Sequence, residues 1–308
     1  MIPTYNCINF LPQAIESVLL QAPGPEIMQI AVIDDCSSDG DVQALVQTIG
    51  KGRVEYVQQK VNCGSLRNFE TCLNKSVGYW VHLLHGDDRV VEGFYAEIES
   101  LFLQYPNVGA AFTNTADIIM GEDKVVVKDA LTSTPQIIDD LLIKIAEKQR
   151  LVPPAIVVKR EVYEQLGSFF GVHYGEDWEM WTRIAAHFPI AYSPKCLAHY
   201  RFFGSASITQ GHIQKGQNIR DIIKVIDTIQ DYLPIELRKK LKKSALRNYS
   251  LYCASLAHGL YPAQPTTAFI QANGALKMSK DIQVLYLVLK LYLKDFILGR
   301  QARTKNNR

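Results

Sequence analysis

Ile30-Ala31-Val32-Ile33-Asp34-Asp35-Cys36-Ser37-Ser38-Asp39-Gly40 runs four apolar residues, three of them β-branched, into two adjacent carboxylates and then into a polar turn. A short apolar run bounded by turn residues reads as a buried strand. Ser37, Ser38 and Asp39 carry side-chain acceptors that close turns and start helices. Strand, polar loop and helix together make one βα unit. Working outward, the same signal predicts strands at 30–33, 54–57, 80–84 and 108–112, with helices at 11–20, 41–49, 66–76 and 93–105 between them. This alternation predicts an α/β fold, a mostly parallel sheet flanked by helices. Ligands in such sheets bind beyond the carboxyl ends of the strands. Two strands end there in acidic pairs: 30–33 runs into Asp34-Asp35, and 80–84 runs through His85-Gly86 into Asp87-Asp88.

The rest of the 308 residues suits one large domain with an appendage. With 47% hydrophobic and 21% charged residues the chain has the composition of a packed globular protein. A net charge of +2 supplies no global field, so an anionic ligand needs a local site and a dedicated nucleic-acid binder is disfavoured. The six cysteines show no CxxC pair, which predicts reduced thiols and a cytoplasmic protein. No basic and apolar leader precedes Pro3-Thr4-Tyr5-Asn6. Only Met1 and Ile2 stand before that segment, so the first strand is expected to be truncated or absent. A block at 151–207 adds a strand at 155–159, a short helix, and Tyr174-Gly175-Glu176-Asp177-Trp178 opening a helix with Met180, Trp181, Ile184 and Ala185 on one side. Residues 1–207 are expected to form one domain and 208–308 a helical C-terminal region. Its apolar stretch 282–298 is interrupted by Lys290, Lys294 and Asp295, short of the roughly 20 uninterrupted residues a spanning helix needs.

Four clusters carry chemistry. Adjacent carboxylates at Asp87-Asp88 repel unless a cation neutralises them, and oxygen ligands suit Mg²⁺ or Mn²⁺; a solvated turn capping the next helix is the plainer alternative. Asp34-Asp35 can accept from a base or a ribose, or simply close a turn. Glu176-Asp177 can supply a general base, or merely complement a helix N-terminus. In Asn62-Cys63-Gly64-Ser65-Leu66-Arg67-Asn68 a loop turns into a helix where Arg67 can meet a phosphate or form a surface ion pair.

Taken in order, Pro3-Thr4-Tyr5-Asn6, Ala14-Ile15-Glu16-Ser17-Val18-Leu19 to Gln21, Val32 to Asp39, Asn62 to Asn68, Asp87-Asp88, and Glu176-Asp177 with Trp181 and Arg183 resemble family 2 glycosyltransferases of the GT-A fold over about two thirds of the chain. The resemblance implies a base pocket lined by Pro3 and Tyr5, Asp35 on the base, Arg67 near the nucleotide, Asp87 on the donor ribose or sugar, Asp88 on the metal, and Asp177 as catalytic base of an inverting transfer. It also implies a nucleoside-diphosphate sugar donor, UDP-linked first of all, and a saccharide or lipid-linked acceptor in cell-surface polysaccharide or glycolipid synthesis. Departures are informative. His85 stands where many relatives have Asp, and no Gln-x-x-Arg-Trp follows Glu176-Asp177, which favours single-sugar transfer. His199-Tyr200-Arg201 resembles a Tyr-Arg-x-His segment with Phe203 at the histidine position, so Glu176, His199 and Arg201 join the site as suspects. Rival readings are a degenerate non-catalytic scaffold of an envelope-assembly complex and a nucleotidyltransferase. The latter is disfavoured by the lack of a Gly-rich triphosphate loop near the start. Residues 282–298, followed by Arg300, Arg303, Lys305 and Arg308, are expected to rest on the inner face of a membrane, or else to pack on the domain or against a second copy.

Overall fold

Strands β1 (Ile2–Thr4) and β2 (Ala31–Asp34) pair in parallel with Ile2 opposite Val32 and Thr4 opposite Asp34, and β3 (Glu55–Gln58) extends the parallel ladder on the far edge of β2. The computed structural model describes residues 1–119, 124–202 and 208–306, and the side chains of all of these except 202, 208 and 299–306. The strand expected to be truncated or absent is present and three residues long. Three residues suffice because both edges of the strand are used: Asp35 N–H donates to Thr4 O on one side, and Leu84 and Gly86 N–H donate to Met1 and Pro3 O on the other. Pro3 has no N–H to offer, and its carbonyl alone makes the ladder contact.

Helices α1 (Leu11–Leu19), α2 (Val42–Gly50) and α3 (Ser65–Lys75) follow these three strands. Leu11, Ala14, Ile15 and Val18 form the i, i+3, i+4, i+7 stripe that buries α1. Asp41 caps α2 by accepting from Ala44 N–H at 2.9 Å.

The chain then builds β4 (Trp80–His82), β5 (Arg89–Val90), α4 (Phe94–Gln104), β6 (Ala110–Ile119), β7 (Lys124–Val127), β8 (Gln136–Ile137), α5 (Leu141–Glu147), β9 (Ile156–Lys159), α6 (Arg160–Leu166), α7 (Glu176–His187) and β10 (Ile190–Phe202). The second sheet is ordered β4-β9-β6-β10-β5, with β7 on β6 and β8 on β10. It is mixed: β6 and β10 run parallel, and the other pairs are antiparallel. The Leu84 and Gly86 bonds to β1, with Met1 N donating to His82 O at 2.9 Å, join the two sheets edge to edge. A shared core of Ile2, Ile15, Val32, Leu84, Phe94, Ile98 and Ala111 lies beneath this join.

By packing density the chain divides into two units, one of Met1–Leu142, Arg150–Gly171 and Glu176–Gly204, the other of Ile143–Gln149, Val172–Gly175 and Ser205–Arg308. The second unit is helical: α8 (Ile208–Gln214), α9 (Gln217–Ile229), α10 (Ile235–Leu260), α11 (Pro265–Met278) and α12 (Ile282–Asn306). Small residues let α10 and α11 pack closely, with Ala254, Ala257, Ala268, Ala272 and Ala275 all buried. Two fully buried amides, Asn218 and Gln271, hydrogen-bond each other reciprocally at 3.0 Å, so burial leaves neither unsatisfied. Among the described residues no helix is long and apolar enough to cross a membrane.

Candidate active site

Beyond β4 the chain passes through buried Leu83 and Leu84 and turns, Asp88 N–H closing on His85 O at 3.0 Å. Gly86 sits at the tightest point of that passage. A Cβ there would lie 2.8 Å from Cys7 Sγ and 2.9 Å from Thr4 Oγ1. Gly86→Ala is therefore expected to push the acidic loop off β1 and to destabilise the protein by about 1–3 kcal/mol, the usual range for overpacking. Thermal denaturation would register it, and an unchanged melting temperature would refute the close approach.

The turn brings three potential ligands together. One nitrogen of His85 and one carboxylate oxygen each of Asp87 and Asp88 lie within 4.8 Å of one another. Asp88 is 1% exposed. Its Oδ1 accepts from Arg201 N–H at 2.8 Å, while Oδ2 has no hydrogen-bond partner among the described residues. Burial, reinforced by neighbouring Asp87, pushes the Asp88 carboxyl well above the ordinary carboxylate range. Burial also pulls His85 down, against the opposing effect of Asp87, which leaves its imidazole neutral with a lone pair to give. A buried carboxylate oxygen without a donor, a second carboxylate and a neutral imidazole fit a divalent cation. The nitrogen donor tilts the set toward a transition ion such as Mn²⁺ over Mg²⁺.

Strand β10 braces this loop from a distance in sequence. Besides its N–H bond to Asp88, Arg201 donates Nε to Asp87 O at 2.7 Å and a terminal nitrogen to Gln13 Oε1 at 3.0 Å. Its guanidinium lies 4.5 Å from the centre of the Phe10 ring. His199, opposite Arg89 in the ladder, accepts from Arg89 Nε at 3.2 Å, and burial and then the Arg89 charge lower its pKa. Phe203 lies outside the described residues.

At the end of β2 both carboxylates are engaged. Asp34 accepts from Ser37 N–H and Oγ and from the Tyr56 hydroxyl at 2.9 Å. Asp35 accepts from Cys63 N–H at 2.8 Å, Gly64 N–H at 2.9 Å and the Cys63 thiol at 2.9 Å, so it clasps the loop that opens α3. The Cys63 thiol is pushed up to about 11 by burial and by that carboxylate. The β1 and β2 exit turns are laced together: Asn6 N–H donates to Ser37 Oγ, and Ser38 N–H donates to Asn6 Oδ1. Asn6 and Cys36 both adopt left-handed backbone, with φ of 47° and 62°. Pro3 is buried within β1, and Tyr5 stands exposed at its end. Arg67 is exposed and ion-paired with Glu70 at 2.7 Å on the same helix.

Glu176 and Asp177 open α7, where the helix dipole favours negative charge, and Asp177 Oδ1 accepts from Trp178 N–H at 2.8 Å. One turn on, Trp181 packs against Phe169, Phe169 against Phe69, and Phe69 stacks on His85 at 5.1 Å. This aromatic relay ties the helix of Asp177 to the acidic loop. Glu179 and Arg183 are structural partners at 2.9 Å, with Arg183 also donating to Ser168 O. The structure thus brings Asp87, Asp88 and Arg201 into direct contact, sets Asp34 and Asp35 at the end of β2 with β1 between them and the acidic loop, and links α7 to that loop through packed rings; Arg67 contacts Glu70 instead. Gln13, Phe10 and Arg89 join the site without having been singled out in the sequence, and His85, noted there as a departure from the family's Asp, joins it as a potential ligand. Only His85 carried a signal, its place two residues before Asp87.

The fold is α/β, with paired carboxylates at the end of β2 and beyond the end of β4. Residues 1–167, more than half of the chain, match the family described as Glycosyl transferase family 2. The chain belongs to that family. It is 33% identical over 111 residues to the uncharacterized protein MT1568 of Mycobacterium tuberculosis, covering 36% of this chain and 34% of that protein. It is 29% identical over 104 residues to the uncharacterized glycosyltransferase MG025 homolog of Mycoplasma pneumoniae, covering 33% and 35%. The chain spans about a third of the length of these curated relatives. Its fold is similar to the crystal structure of S. aureus TarS 1-349 in complex with UDP-GlcNAc, with a TM-score of 0.69 at 14% identity, covering 96% of this chain and 86% of TarS 1-349. The GT-A architecture expected from the motifs is therefore the one observed.

Proposed function

We propose that the protein is an inverting glycosyltransferase that moves a single sugar from a nucleoside-diphosphate sugar to a hydroxyl of a saccharide or lipid-linked acceptor at the cytoplasmic side of the cell. The observation that carries this is the buried Asp88 Oδ2, without a hydrogen-bond partner among the described residues, beside His85 and Asp87. An uncompensated buried carboxylate costs stability, and a scaffold would gain by losing it. A nucleotide-sugar donor is further supported by TarS, which was crystallised with UDP-GlcNAc and with UDP.

Asp88, with Asp87 and His85 beside it, would hold Mn²⁺ or Mg²⁺ against the donor diphosphate. The ion, when bound, supplies positive charge against that growing on the departing nucleoside diphosphate. Asp35 and the 62–64 loop it clasps would read the base together with Pro3 and Tyr5, with Arg67 released from Glu70 toward the nucleotide. Asp87 would take the ribose or sugar hydroxyls, and Arg201 would keep Asp87 and Asp88 in place. Asp177 would remove the acceptor proton as its oxygen attacks the anomeric carbon opposite the leaving group, inverting configuration, a contribution of about 10²-fold or more. The group of reactions supported is assembly of cell-surface polysaccharide or glycolipid.

Incubating the full chain with UDP- and GDP-sugars, with Mn²⁺ or with a chelator, is the direct test. Release of free UDP in the presence of Mn²⁺ and its loss on chelation are expected. Release of no nucleoside diphosphate from any donor, or release indifferent to metal, would overturn the proposal.

A further inference from the structure

Helix α12 is apolar on two opposite faces. Val284, Val288 and Leu291 are buried in the core that α12 shares with α10 and α11. At 100° per residue, Ile282, Leu285, Tyr286, Leu289, Leu293 and Ile297 lie on the other side, spread over less than half the circumference, and each is between 40% and 76% exposed. The stripe is about 22 Å long at 1.5 Å per residue. Monomers rarely leave such a continuous apolar strip in water.

Charge identifies what would cover it. From residue 282 onward the chain carries Lys290, Lys294, Arg300, Arg303, Lys305 and Arg308 against a single acid, Asp295. Asp295 is itself engaged by the Tyr261 hydroxyl at 2.9 Å. A second copy of the helix would bring the same cations toward the interface. An anionic lipid surface takes up both the apolar stripe and the cations.

We infer that α12 is a peripheral membrane anchor, lying in the plane of an anionic lipid surface with the Leu285–Leu289–Leu293 side immersed and exposed Lys290 at the headgroups. The anchor stands independently of sugar transfer, and if both hold, it brings a lipid-linked acceptor and the enzyme into one plane.

Co-sedimentation of the full chain with vesicles of phosphatidylglycerol or of phosphatidylcholine tests it. Binding to the anionic vesicles only, weakening as salt is added, is expected. Combined Leu285→Ser, Leu289→Ser and Leu293→Ser should weaken binding by at least about tenfold. Lys290→Gln with Arg300→Gln should weaken it by roughly 25-fold, about fivefold per cation. Both variants should melt at the parent temperature, and both should keep any transfer to a soluble acceptor. The inference falls if the anionic vesicles leave the protein in the supernatant, if phosphatidylcholine serves equally, or if neither variant changes binding. It falls as well if the serine variant instead converts a sedimenting dimer to a monomer. Loss of transfer with vesicle binding intact would count against the enzyme reading alone.

Discussion

Asp88→Asn is expected to lower sugar transfer by about three orders of magnitude while leaving the protein as stable as before or more so. The several kcal/mol of charge stabilisation that a catalytic metal supplies corresponds to roughly that factor. The stability half follows from the local geometry. Asn keeps the Oδ1 acceptor that receives Arg201 N–H, and it removes a buried carboxylate charge whose second oxygen has no donor. Neutralising such a group relieves desolvation and the repulsion from Asp87. Thermal melting without metal, Mn²⁺ binding by calorimetry and product formation should then separate: melting held or raised, metal binding lost, transfer lost. A large drop in melting temperature would assign Asp88 to the scaffold of the fold instead.

Asp177→Asn is expected to reduce transfer by about 10²- to 10⁴-fold, the range for loss of a general base, with donor affinity unchanged. The amide oxygen can still accept Trp178 N–H, so the start of α7 should hold its shape. It cannot take a proton. Calorimetric titration of UDP with Mn²⁺ would show parental affinity if Asp177 acts only on the acceptor, and a parallel loss of affinity would move it to the donor side. The loss should lie in kcat, since an interaction made only as the proton moves lowers kcat and kcat/KM together.

Much of the fold was legible because strands such as β2 and β9 are short, rich in β-branched residues and buried. The runs expected at 30–33, 54–57 and 155–159 end within a residue of β2, β3 and β9. Strand β1 escaped because three residues make no pattern, and it exists only through partners on both edges. Strand β10 escaped for a different reason. It includes Pro194, Lys195, His199 and Arg201, and its register slips between Ser193 and Ala198, so neither an apolar run nor a clean alternation marks it. The carboxylate pairs announced themselves as unusual chemistry at strand ends. What they touch did not: Arg201 reaches Asp88 across 113 residues, and His85 meets Phe69 through a stack that no spacing encodes. Arg67 shows the converse, a residue conspicuous by charge whose local partner, Glu70, stood three positions away.

The bond from Arg201 N–H to Asp88 also bears on how the protein can be cut. The region that matches the family ends at residue 167, before β10 begins, yet β10 supplies both a backbone donor to Asp88 and the partner strand for the whole of β6. A fragment stopping there would bare a long sheet edge and strand a charge in the interior, an invitation to aggregate. The portion of the chain that declares its ancestry is thus shorter than the smallest portion able to fold around its own chemistry, and the reaction centre is completed late, once a distant strand has returned.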